Sequence, residues 1–117
     1  MKYLIVFILL AVQAFSNDLS YNRGEILYFS KACSSCHGAS GEGSSTYPRL
    51  ANKKEKFITQ KLQNFKAGKA DSVSQQMMAQ FAQKLSGDDI NDLAHFLSHH
   101  KKVEVEDVNN DLLGVDY

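Results

Sequence analysis

The sequence predicts a small all-α domain, and three observations support that class. The chain has 117 residues, which is the length of one domain. Apolar residues recur at helical spacing in three segments, and the segments between them are rich in glycine and serine. No segment shows the alternation of apolar and polar residues that is typical of a half-buried strand, and no internal repeat is found.

Composition argues against two classes of protein. The chain contains 13 Lys and Arg against 13 Asp and Glu, so its net charge gives no indication of a nucleic-acid partner. With only Cys33 and Cys36, a framework of disulfides is excluded as well. A domain of this size commonly uses a metal, a disulfide or a bound cofactor to complete its core. The two cysteines are therefore candidates for holding a metal or a cofactor.

Residues 1–16 have the features of an export signal. Lys2 is followed by an apolar run from Tyr3 to Val12, and Ala14-Phe15-Ser16 fits a cleavage site just before Asn17. We expect this signal peptide to be removed on export to the periplasm. The alternative is an uncleaved membrane anchor, although the run is shorter than the roughly 20 residues of a spanning helix. Export would place both cysteines in an oxidising compartment.

The first helix is predicted from about Asn22 to Ala32 and ends at the cysteines. Its apolar stripe consists of Ile26, Leu27, Tyr28 and Phe29. Residues 38–48 follow the cysteines and contain three glycines among serines and a threonine, which is typical of a loop with unusual backbone angles.

The second helix is predicted over roughly Lys54 to Lys66, and Gly68 should stop it. Its spacing predicts burial of Phe57, Ile58, Leu62 and Phe65. The next segment, which includes Met77 and Met78, is predicted to be a loop.

The third helix begins at Ser86-Gly87-Asp88-Asp89, a start like a capping box with acidic residues in its first turn. Its apolar residues then recur at i, i+3, i+4 and i+7, at Ile90, Leu93, Ala94 and Leu97. Beyond Lys102 the chain turns acidic and loses helical periodicity, so residues 103–117 are predicted to be a tail.

The motif Cys33-Ser34-Ser35-Cys36-His37 is the signature of covalent c-type haem attachment. Two thiols on one helical turn can reach the two vinyl groups at a haem edge, and the next residue can point its imidazole at the iron. Cys33 and Cys36 would then form thioethers, and His37 would be the proximal axial ligand. The predicted export signal agrees, because bacteria attach such haems after export.

Two other uses of the cysteines are disfavoured. A zinc site could combine them with His95 and His99, but the gap between the two pairs is much longer than in short zinc modules, and those histidines lie on the polar side of the last helix. A thioredoxin-like dithiol would need a preceding strand and a βαβ unit, which the sequence does not predict.

A haem in an electron carrier needs a second axial ligand. The candidates in this sequence are Met77, Met78, His95, His99 and His100. Methionine favours ferrous iron and raises the reduction potential, whereas a second histidine lowers it. The two methionines lie between the second and third helices, where they could fold over the distal haem face, and one of them is expected only to fill the core.

Several short sequence blocks, in the same order along the chain, resemble those of class I cytochromes c. The resemblance is greatest to the small bacterial monohaem type related to cytochromes c4 and c553. The blocks span Gly24 to about Ser98, nearly all of the domain expected at residues 17–102. They are Gly24-x-x-Leu27-Tyr28, Cys33-x-x-Cys36-His37-Gly38, Pro48-x-Leu50-Ala51, Gln60-Lys61-Leu62-x-x-Phe65-Lys66-x-Gly68, Met78, and Leu85-Ser86-x-Asp88-Asp89-Ile90-x-x-Leu93-Ala94-x-Phe96-Leu97.

The resemblance implies a class I cytochrome c fold, with three to five short helices around one covalently bound haem c. It implies that Met78, seven residues before Leu85-Ser86, is the second iron ligand rather than Met77. It also implies that the Pro48 carbonyl accepts a hydrogen bond from His37 and that Leu50 packs on the haem. In the same way, Gly24 and Phe96 would meet where the first and last helices cross.

This sequence departs from the family's pattern in three places. Asn52-Lys53 follows Ala51 where Gly-Gln is usual, and Gln76 stands where a proline often precedes the methionine. The acidic extension after Val103 has no counterpart in that pattern.

The resemblance implies a periplasmic one-electron carrier rather than an enzyme, because iron with two protein ligands has no open position for a substrate. Its partners would be redox proteins, and a basic segment suggests that their docking surfaces are acidic. That segment contains Arg49, Lys53, Lys54, Lys56, Lys61, Lys66 and Lys69 against Glu55. The alternatives are a haem-bearing subunit fixed in a larger redox enzyme and a haem enzyme with a labile methionine.

Overall fold

A computed structural model describes residues 1–100, and the predicted tail lies outside the described residues. The described part contains five helices and no strand. The helices are α1 (Lys2–Ser30), α2 (Ser34–His37), α3 (Glu55–Lys66), α4 (Val73–Gln83) and α5 (Gly87–Ser98). The prediction of an all-α class is confirmed.

Helix α1 is much longer than predicted. It begins at Lys2 rather than near Asn22 and runs without a break through the apolar segment into the domain. The reason is local, since no glycine or proline stands before Gly24 to interrupt it. Its apolar N-terminal part is exposed, and the helix is long and apolar enough to cross a membrane, a property that signal sequences share.

The predicted apolar stripe of α1 is partly wrong. Tyr28 is fully buried and Leu27 packs against the core, but Ile26 and Phe29 are 67% and 48% exposed. The face that packs contains Gly24 and Tyr28, which lie four residues apart on one side of the helix.

Helices α1 and α5 cross at Gly24, where the backbones approach very closely. A Cβ atom at this position would lie 2.1 Å from the Asp92 carbonyl oxygen and 2.6 Å from the Phe96 Cβ. The Phe96 ring packs against those of Tyr21 and Tyr28, with centroids 5.1 and 5.6 Å apart. The predicted contact between Gly24 and Phe96 is confirmed.

A polar contact joins the same two helices beside this crossing. Ser20 Oγ donates to Asp92 Oδ1 at 2.7 Å, and Arg23 Nε donates to Asp92 Oδ2 at 2.8 Å. The hydrogen bond from Arg23 lowers the pKa of the Asp92 carboxyl below its ordinary value. The buried carboxylate is therefore fully partnered, which fixes the rotation of α1 about α5.

Helices α3 and α5 lie where the sequence predicts them. Ser86 caps α5 by accepting from the Asp89 N–H at 3.0 Å, and Asp89 accepts from the Ser86 N–H at 2.9 Å, which completes the capping box. In α3, Ile58 is buried as predicted, but Phe57 is 49% exposed. Phe57 is not part of the core cluster and lines a cavity instead.

Helix α4 corrects the prediction that Met77 and Met78 lie in a loop. The helix starts after Ser72, whose hydroxyl accepts from the Gln75 N–H, and it buries Ala79 and Ala82. The small size of these two buried residues and the polar run Ser74-Gln75-Gln76 obscure the helical period in the sequence.

We predict that Gly24→Ala lowers the free energy of unfolding by about 1–3 kcal/mol, because the new methyl group must push α1 away from α5. The measurement is denaturant unfolding followed by circular dichroism. Gly87→Ala is the matched control, since nothing lies within 4 Å of a Cβ there, and its effect should stay within about 0.5 kcal/mol. Equal effects of the two substitutions would contradict the close approach at Gly24.

Candidate cofactor site

A cavity of about 590 Å³ lies between the end of α1, helix α2 and helices α3, α4 and α5. Its walls are mainly apolar and include Ile58, Leu62, Leu93 and Leu97. A pocket of this size and lining suits a large, flat, mostly apolar ligand with a few fixed polar contacts.

The Cys-x-x-Cys-His motif forms one side of this cavity. Helix α1 ends at Ser30, and Ala32 adopts a left-handed conformation with φ 60°, which turns the chain into α2. Within the motif, the His37 N–H donates to the Cys33 carbonyl at 3.0 Å. Both cysteines are half-buried free thiols that line the cavity, and burial raises the pKa of the Cys33 thiol.

His37 is buried and lines the same cavity. Its Nδ1 lies 2.9 Å from the Pro48 carbonyl oxygen. Because a carbonyl oxygen can only accept, this contact assigns the proton to Nδ1 and leaves the lone pair of Nε2 free to bind a metal. The edge of the Tyr47 ring also faces the imidazole, with centroids 6.2 Å apart.

Residues 38–48 form the predicted loop, and the hydroxyl of Tyr28 holds it against α1. Tyr28 Oη donates to the Gly38 carbonyl at 2.5 Å, and burial raises the pKa of this phenol to about 12. Gly38 has φ 89°, and a Cβ there would meet the Glu42 carboxylate. The sequence places Tyr28 in the apolar stripe of the first helix and in a block shared with the family, but it does not predict this hydrogen bond.

The Pro48-x-Leu50 segment closes the loop. The Leu50 N–H donates to the Gly41 carbonyl at 2.8 Å, and the Asn52 N–H donates to the Leu97 carbonyl at 2.8 Å. Leu50 is half-buried, and both Pro48 and Leu50 line the cavity. The segment therefore connects the motif to the end of α5.

Met77 and Met78 reach the cavity from α4. Met78 is half-buried and precedes the buried Ala79, whereas Met77 is 51% exposed. Both thioethers are thus available on the cavity wall, and the burial of Met78 distinguishes it from its neighbour.

The three other candidate ligands do not line the cavity. His95 Nδ1 lies 3.4 Å from Glu55 Oε2, and the rings of His95 and His99 have centroids 4.4 Å apart. Both lie with Glu55 in the one cluster of three possible metal ligands among the described residues. That cluster contains neither cysteine, so the alternative zinc set is not assembled.

The donor set of the cavity fits a covalently attached haem. Two thiols and an imidazole with a fixed tautomer come from one turn of chain, a thioether comes from a facing helix, and the remaining lining is apolar. The family model described as cytochrome c matches residues 21–101. The chain belongs to the cytochrome c family.

Individual relatives support the same assignment. The chain is 33% identical to the cytochrome subunit of sulfide dehydrogenase from Chlorobaculum tepidum over 69% of each chain. It is 32% identical to cytochrome c-552 from Acidithiobacillus ferridurans over 67% of its own length and 33% of the relative's. It is 29% identical to cytochrome c4 from Azotobacter vinelandii over 70% of its length and 40% of that protein's.

A solved cytochrome c4 from Acidithiobacillus ferrooxidans shares the fold. The TM-score is 0.61 at 28% sequence identity, and the match covers 68% of this chain and 48% of that one. The structure is described as supporting a complex-induced tuning of electron transfer. The chain is therefore a class I c-type cytochrome that resembles c4, although it spans less than half the length of two curated relatives and of the solved c4. Its cofactor is a covalently bound haem c, and its family carries electrons.

Proposed function

We propose that the chain is an exported one-electron carrier in which Cys33 and Cys36 attach the haem and His37 and Met78 ligate its iron. The observation that carries this proposal is that the motif cysteines, His37 and Met78 all line one apolar cavity. When bound, the haem supplies a metal that changes between the ferrous and ferric states. The protein would hold both ligands and exclude water from the metal.

The hydrogen bond from His37 to Pro48 supports its role as the proximal ligand. It prevents the imidazole from turning and increases its donor strength. Because Leu50 follows two residues later, the segment that orients the ring also contributes apolar lining.

The burial of Met78 supports its assignment over Met77. A ligand that stays bound in both oxidation states needs a side chain held by its surroundings. Met78 is half-buried and adjoins buried Ala79, whereas Met77 is half-exposed. A thioether ligand would favour ferrous iron and raise the reduction potential. If His37 and Met78 held the iron, no position would remain open to a substrate, which argues against the alternative of a haem enzyme with a labile methionine.

The basic residues around the cavity support docking to an acidic redox partner. Lys31, Arg49, Lys53 and Lys61 are exposed and line the cavity. Positive charge around an electron-transfer edge increases the encounter rate with a negative surface, while the interface itself stays small. The acidic segment 103–117 would modulate this encounter through its opposite charge.

Residues 1–16 are proposed to be a signal peptide that is cleaved before Asn17. If they were retained, α1 would anchor the carrier to the membrane, since this stretch has exposed apolar side chains. Intact-mass measurement of the exported protein separates the two forms.

A second candidate function is a haem-bearing subunit fixed in a larger redox enzyme. It is favoured by the 33% identity to the cytochrome subunit of a sulfide dehydrogenase. Purification from the native source distinguishes the two functions. A free monomer supports the mobile carrier, whereas stoichiometric recovery with a second protein supports the fixed subunit.

We predict that the exported protein keeps its haem under denaturing conditions and that Cys33→Ser with Cys36→Ser abolishes this retention, because no thioether can form. The measurement is haem-dependent peroxidase staining after denaturing electrophoresis. Ser35→Ala lies within the same motif and is the matched control. Loss of haem from the unsubstituted protein on denaturation would refute covalent attachment.

We predict that Met78→Ala removes the near-infrared charge-transfer band of methionine-ligated ferric haem and allows carbon monoxide to bind the ferrous form. Met77→Ala is the adjacent control and should leave both properties unchanged. Absorption spectra of the two variants provide the measurement. The reverse result would assign the ligand to Met77.

We predict that Lys53→Glu slows oxidation of the ferrous protein by the anion ferricyanide several-fold at low salt, because it reverses a charge beside the cavity. High salt should remove the difference. Lys84→Glu is the control, since Lys84 is exposed but does not line the cavity, and its effect should be smaller. Stopped-flow rates that are equal for the two variants would argue against steering by the cavity rim.

A further inference from the structure

Glu55, His95 and His99 form a cluster of possible metal ligands away from the haem cavity. Glu55 is the first residue of α3, His95 lies in the last turn of α5, and His99 follows at the end of that helix. One ligand atom from each residue lies within 4.8 Å of the other two. The three residues do not line the cavity, so the haem does not account for their arrangement.

The spacing of the two histidines places them on one face of α5. Residues four apart are neighbours on a helix, and these two rings have centroids 4.4 Å apart at an interplanar angle of 39°. A pair of histidines at this spacing is a common way for a helix to present two ligands to one metal ion.

The hydrogen bonds of His99 leave one nitrogen free for a metal. Its Nδ1 lies 3.0 Å from the His95 carbonyl oxygen and 2.9 Å from Ser98 Oγ. Since the carbonyl can only accept, Nδ1 carries the proton and Nε2 keeps its lone pair. A backbone contact of this kind orients the ring and fixes its tautomer, as the outer contacts of ligating histidines commonly do.

The third ligand comes from a different helix. His95 Nδ1 lies 3.4 Å from Glu55 Oε2, so the carboxylate already faces the imidazole pair. The Glu55 side chain is 46% exposed and that of His95 is 17% exposed, while His99 is exposed. Water can therefore complete the coordination of an ion bound here.

The donor set selects a class of metal. Two neutral imidazoles and one carboxylate suit Zn²⁺ and similar transition-metal ions, whereas Ca²⁺ and Mg²⁺ prefer oxygen ligands.

We propose that Glu55, His95 and His99 form a surface site for Zn²⁺ that joins the start of α3 to the end of α5. Both helices contribute walls of the haem cavity, Ile58 and Leu62 from α3 and Leu93 and Leu97 from α5. Bound Zn²⁺ restrains their separation and stabilises the folded protein, because the ion binds only where all three ligands converge.

The experiment is calorimetric titration of the purified full-chain holoprotein with Zn²⁺, which has no redox chemistry of its own and leaves the haem iron's oxidation state unchanged. We expect one Zn²⁺ per chain and no comparable binding of Mg²⁺. Glu55→Gln and His99→Asn should each raise the dissociation constant for Zn²⁺ by at least about tenfold. Even the loss of a residue that only hydrogen-bonds to a metal ligand commonly weakens metal binding by that factor.

Two substitutions provide matched controls. Glu25→Gln removes an exposed carboxylate on α1, and His100→Asn removes the neighbouring imidazole, which is not in the cluster. Neither should change the Zn²⁺ affinity. In thermal unfolding, Zn²⁺ should raise the Tm of the unsubstituted protein and of Glu25→Gln by similar amounts, and at the same Zn²⁺ concentration it should raise that of His99→Asn by less.

Either of two results would overturn the proposal. One is the absence of Zn²⁺ binding to the unsubstituted protein. The other is binding of unchanged affinity when His95→Asn and His99→Asn are combined, which would move the ion to another part of the chain. Haem spectra recorded alongside the titration establish that each variant is folded, whatever its Zn²⁺ affinity.

Discussion

The approach of α1 to α5 at Gly24 determines where the remaining parts of the domain lie. Contact between the Gly24 backbone and the Asp92 and Phe96 positions lets Tyr28 enter the core, and the same helix then ends directly before the cysteine motif. The adjacent face of α5 supplies Leu93 and Leu97 to the cavity. A wider crossing would separate the motif from the wall against which its cofactor packs.

Hydrogen bonds around the cavity orient the loop backbone and the His37 ring, while apolar side chains form most of the cavity wall. Tyr28 holds Gly38, Pro48 holds the His37 ring, and Asn52 bonds to the end of α5. Each hydrogen bond contributes modestly to stability, but leaving the buried Tyr28 hydroxyl or the buried His37 ring nitrogen unpartnered would be costly. The loop at residues 38–48 therefore holds the His37 ring in position, and hydrogen bonds of the loop's own backbone provide most of its structure.

Local signals in the sequence predicted local structure well. The Ser86–Asp89 capping box determines the start of α5, and the spacing of the cysteines and His37 identifies the motif because a single turn contains all of them. The resemblance to a known family added the contact of Gly24 with Phe96. That contact depends on two residues 72 positions apart, which periodicity alone cannot bring together.

The failures of prediction have equally specific causes. Helix α4 buries only two small alanines, while its large apolar residues Met77 and Phe81 stay half-exposed on the cavity wall, so no stripe of large buried residues marks the helix. Phe57 was expected in the core because spacing identifies an apolar face but not whether protein or cofactor covers it. The convergence of Glu55 with His95 depends on tertiary packing across 40 residues, and only the i, i+4 pair is visible in the sequence.

The hydrogen bonds around the motif connect residues close in the chain, and this bears on the order of assembly. Tyr28 to Gly38 and His37 to Pro48 span 10 and 11 residues, whereas Ser20 to Asp92 spans 72. Closing a short loop costs less chain entropy than joining the two ends of a domain. The turn that carries the cysteines and His37 is thus a structure of low contact order. It can form while Ser20 and Asp92 are still far apart, and at that stage the two cysteine thiols remain accessible.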